Sequence, residues 1–494
     1  MTEPLAIAEP LYKLVNALND CGVACCYWKS RHHLSAALSG TSDLDLLVIQ
    51  ADHALLQQTL VNCGFKLFPS AHFRDDPCVT SFLGFDEASG RLLHVHVHSF
   101  IVMGHALLKN YRLPWTRSIL SRAILHPTLP IRILDPATEA LLLLLRRSLD
   151  ASKADPVALH NWHEKTARLA AAQEALRRDV DRTALHARAV EFLGEDLAEP
   201  ITAEFFTPGR PVPAVLRRKI RRTLAPWRRY NAAEAMVRGS GRAAALAWDT
   251  INKRFLHAPR PMCRRPFAGG LVIAMLGVDG SGKTTLTRTV RAWLGAEMDV
   301  MPIYFGTGGG RPSLILAPLK LMVPLVRTLM RRKPAGASHG QISGRAPGPV
   351  YACLLALWAT VLAIEKRRKL TAAHRGAARG AVVVADRYPQ DQLLSFNDGP
   401  LLPRLRAVPA WLRRFEARSY ALARRLPPDL VIRLDATPDV LARREPDMDR
   451  AVLVARTQAV KQLEFLDVPL VAIDATAPLD EVVRRAKREI WRRL

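Results

Sequence analysis

Apolar and polar positions alternate on two different periods along the 494-residue chain. From Leu271 onward, short uninterrupted apolar runs stand between segments of helical spacing: Leu271 to Leu276, Val300 to Phe305, Ala381 to Ala385, Leu430 to Leu434 and Pro469 to Ile473. Such runs suit strands buried on both faces. Five of them alternating with helices predict a doubly wound α/β domain with a parallel five-stranded sheet and ligands at the strand C-termini. Residues 1 to about 115 mix strand-like and helical patterns, which predicts an α+β domain. Residues about 116 to 265 read as helical, with an EALLLLLRR helix capped by Asp135 or Thr138. Pro208, Pro211 and Pro213, then Pro259, Pro261 and Pro266, mark linkers. The expected division is 1–115, 116–265 and 266–494, with no internal repeat. The Gly-, Pro- and Ser-rich stretch Arg332 to Pro349 is expected to be a mobile loop.

Composition narrows the class. Hydrophobic residues are 49% and charged residues 23%, which excludes a disordered or low-complexity chain. Against 45 acids stand 71 Lys and Arg, a net charge of +26. That excess suits polyanionic partners or simply a solvated basic surface. It is concentrated between Arg210 and Arg265, where fifteen basic residues face two acids, Glu234 and Asp249. No zinc-finger, helix-turn-helix or aromatic-interleaved motif accompanies it, which ranks nucleic acid low. Seven cysteines without a CxxC pair point to a reducing compartment. The start MTEPLAIAEP lacks a basic n-region and an apolar h-region, so no signal peptide and a cytoplasmic location are expected. The apolar stretch Val350 to Ile364 is too short for a membrane span and suits a core helix. A second stretch, Leu314 to Met330, is broken by Pro and Lys and ends in basic residues. It suits either peripheral contact with an anionic membrane or a buried, homodimer-facing helix.

The first apolar run leads straight into Gly277-Val-Asp-Gly-Ser-Gly-Lys283-Thr284, which fits GxxxxGK[ST] and opens a helix. Glycines let backbone N–H groups turn toward phosphate oxygens, and the helix adds its positive end. Lys283 then reaches the β- and γ-phosphates, and the Thr284 hydroxyl ligates Mg²⁺. ATP and Mg²⁺ are the expected cofactors. Gly277, Asp279, Gly280, Ser281, Gly282, Lys283, Thr284 and Thr285 form the expected ATP-binding set. Later strands end in Asp386-Arg387-Tyr388-Pro389, in Asp435-Ala-Thr-Pro438 followed by Arg443-Arg444, and in Asp474-Ala-Thr476. Strand-end carboxylates can position a metal or a hydroxyl, and arginines in a flap can neutralise a transferring phosphoryl group. Taken alone, Arg456 suits a solvated helix face.

GVDGSGKTT, the strand-end DRY, PDLVIRLDATPDVLARR and the closing IDAT resemble the thymidylate kinase-like branch of P-loop nucleoside and nucleotide kinases. The resemblance covers about residues 270 to 494. It implies transfer from ATP to a dTMP-like acceptor, with Lys283, Asp386, Arg387, Arg444 and Arg450 in catalysis. It places Asp279 on the acceptor's sugar hydroxyl, Arg387 on the acceptor phosphate, Tyr388 on the acceptor side, and Arg443, Arg444 and Arg450 in a lid over ATP. The chain departs from that branch after the second strand, where Tyr304 to Arg311 replaces an Arg-Glu-Pro segment. It departs again after DRY, where Gln390-Asp-Gln392 and Asn397-Asp-Gly-Pro400 replace the base-reading element. The triphosphate half is retained and the base-reading half is not. The chain also resembles proteins encoded with bacterial surface-polysaccharide enzymes, which makes a sugar or sugar nucleotide a rival acceptor. A third reading is a nucleotide-gated, non-catalytic module for assembly at a membrane.

Nearer the N-terminus a short strand ends at Lys29-Ser30, and Asp43-Leu-Asp45 enters a second strand, Leu44 to Ile49. Strand alternation puts both carboxylates on one face, where they can share Mg²⁺ and align a triphosphate. This pattern, over about residues 10 to 115, resembles the DxD nucleotidyltransferase superfamily, in an active or relic form. The superfamily's third carboxylate is absent. The strand expected to carry it reads RLLHVHVHS, with His94, His96 and His98 on one face. His96 replacing the acid, a three-histidine metal site, a nucleotide-facing polar strand and a plain half-buried strand all remain open here.

Overall fold

Each of the five apolar runs forms a strand, and their backbones pair in parallel: β10 (Leu271–Gly277), β11 (Val300–Tyr304), β12 (Val382–Asp386), β13 (Leu430–Asp435) and β14 (Leu470–Asp474). Strands β1 to β9 precede them in the chain. The computed structural model describes residues 7–71, 75–105, 108–149, 162–207, 211–256, 263–306, 349–394, 399–404 and 408–494. Sheet order is β11-β12-β10-β13-β14. From β10 the chain goes to the edge strand β11, returns inward to β12 beside β10, and crosses to the other side between β12 and β13. The C-terminal end of β10 therefore lies at the switch point, where α/β sheets bind ligands. All of β10 is buried. Val272, Ala274 and Leu276 share a core with Leu370, Ala373, Ala377 and Ala423 of the helices Pro349–Ala378 and Ala410–Arg425. The alternate residues Leu271, Ile273 and Met275 are buried as well, so the sheet is covered on both faces. The apolar stretch from Val350 begins the helix Pro349–Ala378. No helix among the described residues is long and apolar enough to cross a membrane. The stretches Leu314 to Met330 and Arg332 to 348, with 307–311 and Asn397-Asp398, lie outside the described residues.

The chain divides into two compact units, Met1–Leu256 and His257–Leu494. The helices described between Thr116 and Ile251 thus belong to the first unit. Its seven-stranded mixed sheet has the order β3-β4-β5-β2-β1-β9-β8. The strands are β1 (Cys25–Tyr27), β2 (Leu44–Val48), β3 (Lys66–Leu67), β4 (Val79–Asp86), β5 (Arg91–His98), β8 (Ile124–Leu125) and β9 (Arg132–Ile133). Between them, β6 (Ile101–Met103) and β7 (Tyr111–Leu113) form a separate pair.

Side-chain alternation explains why sheet and helices share one unit. Tyr27, Leu44, Leu46 and Val48 enter one core with Leu11, Leu14 and Leu56. Cys26, Trp28 and Leu47 point the other way, into a core with Leu141, Leu142, Leu144 and Leu145 of the helix Pro136–Leu149. That helix is buried on nearly all sides, Ala137 to Leu145 without a break, so it must be wrapped. The helices Arg182–Leu193 and Glu195–Phe206 supply Leu185, Phe192, Ile201 and Phe205 to the same core. All seven cysteines are free thiols.

Candidate functional site

The loop after β10 is shaped by three glycines in the left-handed region, Gly277 at φ 151°, Gly280 at 80° and Gly282 at 90°. At Gly277 a side chain has no room: a Cβ there would lie 2.5 Å from Ser281 Oγ and 2.9 Å from the Leu434 carbonyl oxygen. The Ser281 N–H donates to the Val278 carbonyl at 3.0 Å and tightens the turn. The helix Lys283–Gly295 begins directly after it. Its first residue, Lys283, is buried and folds back over the loop, donating to the Val278 carbonyl at 2.7 Å with Asp279 Oδ1 3.8 Å away.

Asp386 closes β12 opposite Met275 of β10. That register brings its carboxylate to the first turn of the helix, where Thr284 Oγ1 donates to Asp386 Oδ2 at 3.0 Å. Next in the chain, Arg387 takes a positive φ of 71°, held by its N–H on the Met275 carbonyl at 3.0 Å. A non-glycine residue in this region is strained and needs its surroundings to hold it. The turn aims the guanidinium at Asp279 Oδ1, with which it pairs. Arg456, on the helix Arg450–Lys461, reaches the other oxygen of the same carboxylate at 3.1 Å. Asp279 thus gathers Lys283, Arg387 and Arg456 around one anion. Burial alone would push its carboxyl up. The Arg387 guanidinium, with Lys283 and Arg456, outweighs that and holds it below the usual carboxylate range.

The other expected site residues are less uniform. Arg444 reaches the loop, donating to the Gly280 carbonyl at 3.3 Å and to the Ala475 carbonyl at 3.1 Å. It ties the loop to the turn after β14. Arg443 is exposed, and Arg450 pairs with Asp439 on the surface. Tyr388 is fully buried between Phe305 and Phe465, with its hydroxyl on the Leu426 carbonyl and against His374. Arg456 is the residue the sequence undervalued. On an isolated helix it looks solvated, and its partner lies 177 positions away.

A second cluster lies in the first unit. β2 and β5 run parallel with Asp45 opposite His96. His94 Nδ1 is 3.1 Å from Asp43 Oδ1, and His98 Nε2 is 2.8 Å from Asp45 Oδ1. Between them, His96 Nδ1 lies 3.7 Å from Asp43 Oδ2 and 3.6 Å from Asp45 Oδ1. Lys29 stands 3.7 Å from Asp45 on the remaining side. Burial pushes the His98 imidazole down to about 3, so at neutral pH it meets Asp45 as a hydrogen bond rather than an ion pair. Burial also opposes ionisation of Asp45, but Lys29 and the histidines prevail and hold it well below the usual range. Missed from sequence is Glu139, buried in the helix Pro136–Leu149. It accepts from Ser30 Oγ at 2.9 Å and from the Arg31 N–H at 3.0 Å, and it pairs with Arg31 Nε at 2.8 Å. This fixes the Lys29-Ser30 turn beside the cluster.

No family model matches the chain. Among solved structures, deoxyadenosine kinase from M. mycoides with bound dCTP aligns at 12% identity and a TM-score of 0.26, over 44% of this chain and 98% of that one. Among curated proteins, the uncharacterized ATP-binding protein YghS of Escherichia coli K12 is 31% identical over 224 residues, 44% of this chain and 92% of YghS. The uncharacterized ATP-binding protein YghR of the same strain is 30% identical over 254 residues, 50% of this chain and 94% of YghR. With nearly the whole length of both relatives covered, the chain belongs to the family of the E. coli proteins YghS and YghR.

Proposed function

We propose that residues 257–494 transfer the γ-phosphoryl group of ATP to a small acceptor, a nucleotide of the dTMP type in the first instance. The observation that carries this reading is the meeting of Arg387 and Arg456 on Asp279, beside Lys283. A nucleotide switch needs a phosphate loop but no second set of cations next to it. A transferase needs both, one for the donor and one for the acceptor or for charge in flight. ATP as donor is supported by membership in a family whose named relatives are ATP-binding proteins. Thr284 and Asp386 offer two oxygen ligands, the hard donor set that Mg²⁺ prefers. When bound there, Mg²⁺ offsets charge on the β- and γ-phosphate oxygens. Lys283 adds a positive charge on the donor side, and loop N–H groups orient the chain of phosphates. Arg387 and Arg456 exchange Asp279 for acceptor or transferring oxygens, and Asp279 becomes available to an acceptor hydroxyl. Arg444 links the loop to the Ala475 turn and so couples the lid side to ATP.

The test is ADP release from ATP and Mg²⁺ across a panel of nucleosides, nucleotides, sugars and sugar nucleotides. A nucleotide response supports the first choice. A sugar response moves the acceptor to the rival class, a sugar or sugar nucleotide. ATP binding without any acceptor-dependent release favours the non-catalytic assembly module. Lys283→Ala is expected to lower turnover at least about 100-fold with the fold intact, since it removes the charge nearest the transferring group. Near wild-type turnover in that variant would remove the kinase reading.

For residues 1–115 we propose a nucleotidyltransferase-like fold, supported by Asp45 on β2, by Asp43 just before it, and by the ordered Lys29-Ser30 turn. In a Lys283→Ala background, metal-dependent triphosphate binding that is lost with Asp43→Asn/Asp45→Asn supports it. Equal binding by both proteins marks a relic, and pyrophosphate release lost in the variant makes the chain bifunctional.

A further inference from the structure

We propose that Asp43, His94 and His96 bind a divalent transition-metal ion of the Zn²⁺, Mn²⁺ or Fe²⁺ class, rather than Mg²⁺. This goes beyond the nucleotidyltransferase reading, because it concerns an ion held without any nucleotide.

The donor set decides the class of metal. Magnesium takes oxygen ligands and keeps much of its water, whereas imidazole suits Zn²⁺, Fe²⁺ and their neighbours. Where a nucleotidyl transfer site would set a third carboxylate beside its Asp pair, β5 sets three imidazoles. Two histidines and one carboxylate around one point form a facial set that leaves further positions open.

The spacing fits. A tetrahedral ion with bonds of about 2.1 Å holds its ligand atoms about 3.4 Å apart. His94 Nδ1 and His96 Nδ1 lie 3.1 and 3.7 Å from the Asp43 carboxylate, and the three donor atoms fall within 4.8 Å of one another. The two imidazoles have centroids 4.0 Å apart, so His94 and His96 already lean together. The second possible triad, Asp45, His96 and His98, is also within 4.8 Å. It is the poorer site because Lys29 already answers the Asp45 charge and His98 is engaged with the same oxygen. The first triad has an entry path: the Asp43 side chain is 47% exposed while His94 is 4% exposed. An ion would enter past a solvated carboxylate and rest on a buried imidazole.

The experiment uses the full chain, stripped with a chelator and free of nucleotide. Calorimetry with Zn²⁺ should give one site, with Mg²⁺ failing to compete at millimolar concentration. Asp43→Asn, an exposed change that the fold tolerates, and His94→Gln should each weaken Zn²⁺ at least about 100-fold. Pulsed EPR on the Mn²⁺-loaded wild type needs no variant and should show ¹⁴N coupling from imidazole. Cobalt loading should give visible bands without the near-ultraviolet charge transfer of thiolate, which separates this site from the free cysteines. Equal affinity in wild type and both variants, thiolate bands, equal competition by Mg²⁺, or Zn²⁺ binding weaker than about 100 µM would overturn the proposal. Failure of nucleotidyl transfer alone leaves it standing, since none of these readouts involves a nucleotide.

Discussion

Asp279 is one carboxylate answering three cations, and its ionisation makes a pH-dependent contribution to stability. Its ordinary value is near 3.8, and the folded value is lower. Over that interval the folded state binds fewer protons than the unfolded one, so stability rises with pH. The contribution is therefore present above about pH 4 and lost as pH falls through the depressed value. Asp279→Asn should cost about 3 kcal/mol at pH 7, because it leaves a largely buried Arg456 without its anion. Urea unfolding of wild type and variant should converge as pH drops below about 3.8. A difference that stays constant with pH would mean that packing, not charge, is lost. Arg387 faces the same carboxylate, and the proposed function places it on the acceptor side. Arg387→Ala should raise the acceptor KM and lower kcat while ATP affinity stays within about 2-fold, because the donor phosphates keep Lys283 and the loop N–H groups. A defect confined to ATP binding would move Arg387 to the donor side.

At the scale of elements, legibility in the sequence followed locality. The phosphate loop is contiguous, and its glycines, lysine and threonine were readable because the turn, the helix start and the chemistry sit within eight residues, Gly277 to Thr284. The inner strands β10, β12 and β13 were readable because burial on both faces leaves continuous apolar runs, and the partly buried edge strands β11 and β14 are apolar enough to read the same way. What joins distant elements was not readable. Arg456 meets Asp279, Glu139 meets Ser30, and Tyr388 turns into the core, all through sheet and helix packing that no local pattern encodes. The Asp43, Asp45 and histidine faces were readable from alternation, but their parallel register, Asp45 against His96, was not. Gly277 tests the local part. It ends β10 at a φ of 151°, against the Leu434 carbonyl. Gly277→Ala pushes a methyl into backbone that cannot yield and forces the loop to open. ATP affinity should fall at least about 10-fold while the metal site of the other unit is unchanged, as read by calorimetry with each ligand. Wild-type ATP affinity would show that the loop accommodates a side chain.

At the scale of the whole chain, the relevant fact is that the hydrophobic clusters described above each lie within one unit. The sheet of residues 1–256 packs on its own helices, and the sheet of residues 257–494 packs on others. Units with separate cores unfold as separate cooperative transitions unless a large apolar interface couples them. A ligand raises the transition only of the unit that binds it, by about 2.7 kcal/mol when present at 100 times its dissociation constant. Calorimetric unfolding of the full chain should therefore show two transitions. ATP with Mg²⁺ should shift one of them upward, and Zn²⁺ should shift the other. Lys283→Ala should abolish only the first shift, and Asp43→Asn only the second. This crossed pattern also assigns each transition to its unit without cutting the chain. A single transition raised by both ligands would mean that the units fold together. The fusion would then be energetic as well as covalent, and the binding of ATP at one end should tighten metal at the other by the same coupling free energy.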